Sequence, residues 1–413
     1  MGESYKIVLN NTNENEKADL SFINQDETKK AQKFHASFPQ YEVTPLVELK
    51  NLSKMFGVKN IFVKDESYRF GLNAFKVLGG SYAIGKYIAD KLGMDIDDLP
   101  FEKLTSKEVK DKLGDITFIT ATDGNHGRGV AWASHELKQK CIVLMPSGSS
   151  LERRDNIRAL GAKCDIMDGL NYDDCVRLAN KYAEEEGYVM VQDTAWEGYE
   201  KIPTWIIQGY STLAKEAEDQ LLELGEKVTH IFVQAGVGSF ATGVTGYFSS
   251  IFPGDEKPFI GVVEPEKANC NFITAKANDG KIHNVTGEMD TIMAGLACGE
   301  PVTVGWPILK SYADAFLSVP DASAARGMRI LGNPLKGDER IISGESGAAT
   351  FGAISEILQR DDLLEIKKEL KLDENSVILF FSTEGDTDFV HYRQVVWDGY
   401  YTNKENYNYK IMR

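Results

Sequence analysis

Asn60-Ile61-Phe62-Val63-Lys64 and, after a short turn, Gly71-Leu72-Asn73-Ala74-Phe75-Lys76-Val77-Leu78-Gly79-Gly80-Ser81-Tyr82-Ala83 decide how this chain folds. The first run is short and apolar and closes in Asp65-Glu66-Ser67, which marks a buried strand. From Val77 the apolar residues follow a helical pattern. Lys76 therefore stands at the mouth of a strand-to-helix turn, among small and apolar neighbours. Partial desolvation there disfavours the ammonium and lowers the lysine pKa, giving a nucleophilic amine of the kind that condenses with an aldehyde. A lysine snorkelling off a helix end would look the same in isolation. The chemistry has to be argued from the rest of the chain.

Outward from this unit, short apolar runs alternate with helical patterns. Strands are expected at 116–121, 141–146, 163–167, 188–191, 228–234, 259–264, 316–319 and 377–381. That alternation predicts an α/β chain with two open, mostly parallel twisted sheets, helices covering both faces. The smaller sheet belongs to a small domain, 90–195, and the larger to a domain built from 1–89 and 196–413. Residues 1 to about 40 are polar and irregular, and are expected as an arm or edge element outside the core.

The formal net charge of −16 repels phosphate backbones and anionic lipid, so neither nucleic acid nor a membrane is expected as partner. No apolar run is long enough to span a bilayer, and Met1-Gly2-Glu3-Ser4-Tyr5-Lys6 does not open a signal peptide. A cytoplasmic address follows. Cys141, Cys164, Cys175, Cys270 and Cys298 include no C-x-x-C pair, and the six histidines include no H-E-x-x-H. Neither a disulfide framework nor a metal site is indicated. Cys270 and Cys298 frame a Gly-rich interruption at 279–300, and their sulfurs are expected to face each other near the cleft.

Three further segments fall at the ends of expected strands, where open α/β sheets bind ligands. Thr120-Ala121-Thr122-Asp123-Gly124-Asn125-His126-Gly127 leads straight into a helix, whose unpaired N–H groups suit a carboxylate. Asp123 or Asn125 could simply cap that helix, but a cap needs neither both residues nor two glycines. Ala235-Gly236-Val237-Gly238-Ser239-Phe240-Ala241 can cradle a phosphate through backbone N–H groups. The same residues fit G-x-G-x-x-A, with Glu264 ending the next strand, so a dinucleotide fingerprint competes here. Phe381-Ser382-Thr383-Glu384-Gly385 follows the last strand and offers hydroxyls to a ring nitrogen.

The turn lysine, the Asn-Gly loop, the phosphate loop and the Ser/Thr loop together resemble the fold type II family of pyridoxal-phosphate enzymes, over nearly the whole chain. That resemblance implies pyridoxal 5'-phosphate as cofactor, with Lys76 as its Schiff-base lysine. It implies Asn125 on the phenolic oxygen, Gly236, Val237, Gly238 and Ser239 on the phosphate, and Ser382 or Thr383 on the pyridine nitrogen. Thr122, Asp123, Gly124 and His126 are implied as the substrate-binding loop. Dehydratases and synthases of the family carry serine where this chain has Asp123. The pair of motifs Ala121-Thr122-Asp123-Gly124-Asn125-His126-Gly127-Arg128-Gly129 and Gln192-Asp193-Thr194-Ala195-Trp196-Glu197-Gly198-Tyr199 is similar to that of diaminopropionate ammonia-lyases. This implies Asp123 and Asp193 as bases for opposite enantiomers of 2,3-diaminopropionate, α,β-elimination through an aminoacrylate, release of pyruvate and two ammonia, and a homodimer.

The residues agree with that implication. A substrate with a second amine is cationic at its β-carbon and attracts carboxylates. Two loops carrying one base each can serve two faces of the α-carbon. The alternative within the family is a serine/threonine dehydratase or a threonine-synthase-like enzyme. Outside it stand a nicotinamide-dependent dehydrogenase, resting on the glycine loop and Glu264, and a non-catalytic sensor that kept the fold.

Overall fold

The computed structural model describes residues 5–10, 17–122 and 124–402. Among them β1 (Lys6–Leu9), β2 (Leu46–Glu48) and β3 (Asn60–Asp65) come first. Next are β4 (Thr117–Ala121), β5 (Lys140–Met145), β6 (Lys163–Ile166) and β7 (Val189–Met190). The last are β8 (His230–Gln234), β9 (Phe259–Pro265), β10 (Ala315–Val319) and β11 (Val377–Ser382). The larger sheet has the order β1-β10-β9-β8-β11-β3-β2 and the smaller the order β6-β5-β4-β7. Every pairing is parallel except at the edges of the large sheet, where β1 opposes β10 and β2 opposes β3. All residues of β8, β10 and β11 are buried, as strands covered on both faces must be. The two-sheet α/β architecture is the one the alternation predicts.

This topology sets adjacent β3, β11 and β8 side by side with their C-terminal ends together. The loops that follow carry Lys76, Thr383 and the glycine run. From the small sheet, β4 ends at Ala121 and leads into the helix Asn125–Glu136. That helix crosses the start of the helix Val77–Leu92 so closely that a Cβ on Gly129 would lie 2.8 Å from Val77 N and Cα. Only glycine permits the approach, and it fixes the residue after Lys76 against the small sheet's first helix.

The N-terminal segment departs from expectation. β1 is an edge strand, but residues 25–36 form the helix Gln25–Ala36, and its inner face is core. Asn24 caps it by accepting from the Asp26 and Glu27 amides. Phe34 and His35 are buried, and the His35 ring bonds Thr212 Oγ1 at 2.8 Å and the Leu78 carbonyl at 2.9 Å. The helix is so polar outside that Ala31 and Phe34 are the only buried apolar residues on it, too sparse a pattern to outweigh its charged neighbours.

A closed ionic cluster lies at the end of β3, ahead of the Lys76 turn in the chain. Glu216, on the helix Lys201–Glu223, accepts from Lys64 Nζ at 2.8 Å and Arg69 Nη2 at 2.7 Å. Arg69 also pairs with Glu66 at 2.8 Å, and none of the four side chains reaches solvent. Burial opposes the Glu216 charge, but Arg69 and Lys64 hold its carboxyl well below the usual range. The cluster balances two positive against two negative charges and ties the end of β3 to the long helix. Glu216→Ala leaves two cations buried with one carboxylate, an arrangement that costs about 3–5 kcal/mol. A chemical denaturation curve should show a loss of that size; a shift below about 1 kcal/mol would mean that water or relaxation satisfies the cluster.

Candidate active site

Lys76 Nζ donates to Asp193 Oδ2 at 2.6 Å. The two side chains are 19% and 7% exposed, and both line a cavity of about 220 Å³ between the sheets. Burial by itself disfavours the Lys76 ammonium, but the Asp193 carboxylate outweighs it and holds the lysine well above its ordinary range. Burial also opposes the Asp193 charge, yet Lys76 and His126 keep its carboxyl well below the usual carboxylate range. The lowered lysine pKa expected from the sequence is thus overturned. Desolvation acts as foreseen, and a carboxylate 117 residues away dominates it. The Asp193 backbone carbonyl in turn accepts from Ser239 Oγ at 2.7 Å.

The Lys76 turn is held by the Ser/Thr loop. Phe75 N donates to the Thr383 carbonyl and Gly385 N to the Asn73 carbonyl, each at 3.0 Å. Thr383 lines the cavity, and its Oγ1 accepts from Gln234 Nε2 at 2.7 Å. Ser382 is buried behind it against Ser343 Oγ at 2.9 Å, so of the two hydroxyls only that of Thr383 is available to the cavity.

At the glycine loop, the Gly236 carbonyl accepts from Asn271 Nδ2 at 3.0 Å and the Val237 carbonyl from Val302 N at 2.7 Å. Gly238 takes φ +101°, a left-handed backbone that favours glycine, and Ser239 opens the helix Ser239–Ile251. Gly236, Val237, Gly238 and Ser239 all line the cavity. The unpaired amides of that helix start make an anion site. Glu264, which the dinucleotide reading needs for a ribose, is instead fully buried. It accepts from the Asn271 and Phe272 amides at 2.9 and 2.6 Å, at the start of the helix Cys270–Ala277. A carboxylate spent on a helix start cannot read a ribose.

Asn125, His126 and Thr122 also line the cavity. His126 Nε2 donates to the Val191 carbonyl at 2.9 Å, with Nδ1 3.9 Å from Asp193. Thr122 Oγ1 accepts from Gly124 N at 3.0 Å, and Gly124 stands at the cap position of the Asn125–Glu136 helix. Asp123, expected as a base and substrate ligand, lies outside the described residues. Asn125 Nδ2 donates to Glu384 Oε2 at 2.6 Å. Glu384 was not picked out by sequence reasoning, although a charge directly after an apolar strand and two hydroxyl residues was the available signal.

Cys270 and Cys298 are both free thiols. Both lie against Gly236: Cys270 Sγ is 3.5 Å from its carbonyl oxygen, and a Cβ there would meet Cys298 Sγ at 3.0 Å.

The donor set fits a phosphorylated aromatic aldehyde. An amine, an anion cradle, an amide and a hydroxyl face one cavity, while the buried Gln234 Oε1 in its wall has no protein partner. A family model described as pyridoxal-phosphate dependent enzyme matches residues 38–381. The chain is 52% identical over 384 residues to diaminopropionate ammonia-lyase of Salmonella typhimurium, covering 92% of this chain and 95% of that one. It superposes on holo diaminopropionate ammonia lyase from Escherichia coli with a TM-score of 0.91 at 46% identity, covering 98% and 100% of the two chains. For the same Escherichia coli enzyme in complex with an aminoacrylate-PLP azomethine reaction intermediate, the TM-score is 0.88 at 46% identity, with 97% and 99% covered.

Asp193→Asn removes the charge partner and leaves the burial, so the Lys76 ammonium should lose its proton at lower pH than in the parent. The rate of reductive methylation of Lys76 against pH in the cofactor-free protein, read by mass spectrometry, checks this. An unchanged profile would show that Asp193 does not govern the lysine.

Proposed function

The chain belongs to the diaminopropionate ammonia-lyases, pyridoxal-phosphate dependent carbon–nitrogen lyases, and we propose that it eliminates ammonia from either enantiomer of 2,3-diaminopropionate, with pyruvate and a second ammonia as the final products. The observation that carries this reading is the pairing of Lys76 with Asp193 in a cavity that also contains an anion cradle. Lys76 would hold the cofactor's aldehyde, Gly236, Val237, Gly238 and Ser239 its phosphate, Asn125 its phenolic oxygen and Thr383 its ring nitrogen. When bound, pyridoxal phosphate supplies the electron sink that acidifies the α-carbon of an amino acid.

The remaining work falls to the protein. Asp193, kept ionised by its neighbours, takes the α-proton on one face, the L-form. Asp123 serves the opposite face, the D-form. The pair released from the Cα–H bond forms the Cα–Cβ double bond, and the pair of the Cβ–N bond leaves on nitrogen as ammonia. Carboxylates in the cavity also attract the substrate's second ammonium. The loop of Thr122, Asp123, Gly124 and His126 would receive the substrate's carboxylate through backbone N–H groups at the start of the Asn125–Glu136 helix, where the amides favour an anion. Released aminoacrylate hydrolyses to pyruvate and the second ammonia.

The reading includes a small domain, 90–195, beside a large one from 1–89 and 196–413; the separate four-stranded sheet supports it. It also includes a cytoplasmic homodimer. No helix among the described residues is long and apolar enough to cross a membrane. Phe389, Val390, Trp397, Tyr400 and Tyr401 are exposed along the helix Phe389–Val396 and the turn after it, which supports an interface there.

Lys76→Ala should abolish both the visible absorbance of the cofactor-loaded protein and turnover. Asp193→Asn should keep the cofactor and lose about 10²–10⁴-fold in rate on the L-form alone, with Asp123→Asn doing so on the D-form. Steady-state kinetics on each enantiomer decide the matter; equal losses on both in either variant would refute the assignment of one base per face.

A further inference from the structure

Glu384 lies in the cavity wall and has no part in the roles assigned above. Its side chain is 5% exposed, and three donors converge on it. Ser346 N reaches Oε1 at 3.1 Å, while Asn125 Nδ2 at 2.6 Å and Thr387 Oγ1 at 3.3 Å reach Oε2. The contact at Oε1 has a structural explanation. Ser346 sits in the first turn of the helix Glu345–Gln359, whose amides lack partners within the helix. No such explanation covers Oε2, which reaches across to the first residue of the helix Asn125–Glu136.

A carboxamide donates at one end and accepts at the other, and the two ends are almost the same shape. Left alone, Asn125 could present either end to a ligand. An ionised carboxylate only accepts, so it holds Nδ2 on its own side, and that nitrogen keeps a second N–H. Ser346 N belongs to a helix backbone and cannot rotate away, so it fixes Oε1 as an acceptor and leaves Oε2 for Asn125. Burial and the nearby Glu345 carboxylate push the Glu384 carboxyl upward, and Arg153 and the two bonds from Ser346 only partly offset them. It is the donors aimed at both oxygens, Ser346 N, Asn125 Nδ2 and Thr387 Oγ1, that favour the ionised form.

We propose that Glu384 is a positioning residue that sets the amide of Asn125, so that its remaining N–H is presented to the phenolic oxygen of the cofactor. This rests on the role given to Asn125 above. The contact also joins the end of β11 in the large sheet to the helix that follows β4 in the small one, so the cofactor's oxygen would be met only when both sheets are in register.

Glu384→Gln tests it. Ser346 N demands the oxygen of the new amide, which leaves that amide's nitrogen facing Asn125. Asn125 must then turn Oδ1 toward this nitrogen, and the cofactor's oxygen meets an acceptor. Titrating cofactor-free protein with pyridoxal phosphate, followed by absorbance, should show affinity reduced about tenfold or more, as in Asn125→Ala, with the visible band displaced in the same direction. The double variant should lose no more than Asn125→Ala alone. Glu384→Ala, which removes the acceptor without inverting the amide, should lose less than Glu384→Gln. The proposal is overturned if Glu384→Gln keeps the parental affinity and band while Asn125→Ala loses them, if the two losses add, or if the alanine variant is worse than the glutamine one. Should Asn125→Ala itself leave affinity and band unchanged, the role of Asn125 is at fault and the proposal falls with it.

Discussion

The contact between Lys76 Nζ and Asp193 Oδ2, 2.6 Å long and largely shielded from water, is the constraint that the rest of the site depends on. Two charges leave water for a cavity only if geometry returns what desolvation takes. The fold supplies that geometry from several directions. The turn that carries Lys76 is held by the bonds that Phe75 and Asn73 make to the Thr383 loop and by the close approach of Gly129 to Val77, while the Lys64–Glu66–Arg69–Glu216 cluster ties the preceding strand end to the long helix. Asp193 is held through its carbonyl by Ser239, the residue that opens the helix Ser239–Ile251. Lys76, Asp193 and the start of the Ser239–Ile251 helix are therefore one mechanical unit.

Much of this was legible in the sequence because it is local. A parallel sheet announces itself by short apolar strands alternating with helices, and the glycine loop and the Asn-Gly loop each lie within a few residues. What failed was long-range. The sign of the Lys76 shift depends on Asp193, and the amide of Asn125 depends on Glu384, 259 residues away. Neither partner can be inferred from local composition. The choice between Ser382 and Thr383 rests on which face of β11 meets the cavity. Ile378 and Phe380 pack into the core cluster that includes Phe351, while Leu379 and Phe381 pack into the one that includes Phe240. Alternation carries Thr383 with the second pair, toward the glycine-loop helix.

The dinucleotide reading shows where a pattern runs out. A glycine turn between a buried strand and a helix makes a phosphate site whatever the rest of the ligand is. The discriminating residue was Glu264, and only its surroundings tell the two apart: it serves the start of the Cys270–Ala277 helix, and that helix's Asn271 holds the Gly236 carbonyl. The same carboxylate that would have recognised a ribose thus shapes the loop that would bind a cofactor phosphate.

The most direct test of the account is product stoichiometry. With pyridoxal phosphate and 2,3-diaminopropionate, the purified protein should release two ammonia for each pyruvate, because both substrate nitrogens are lost. Supplied instead with serine, whose leaving group carries no nitrogen, any turnover should release one. Pyruvate without the second ammonia from 2,3-diaminopropionate, or no pyruvate at all from either enantiomer, would contradict it.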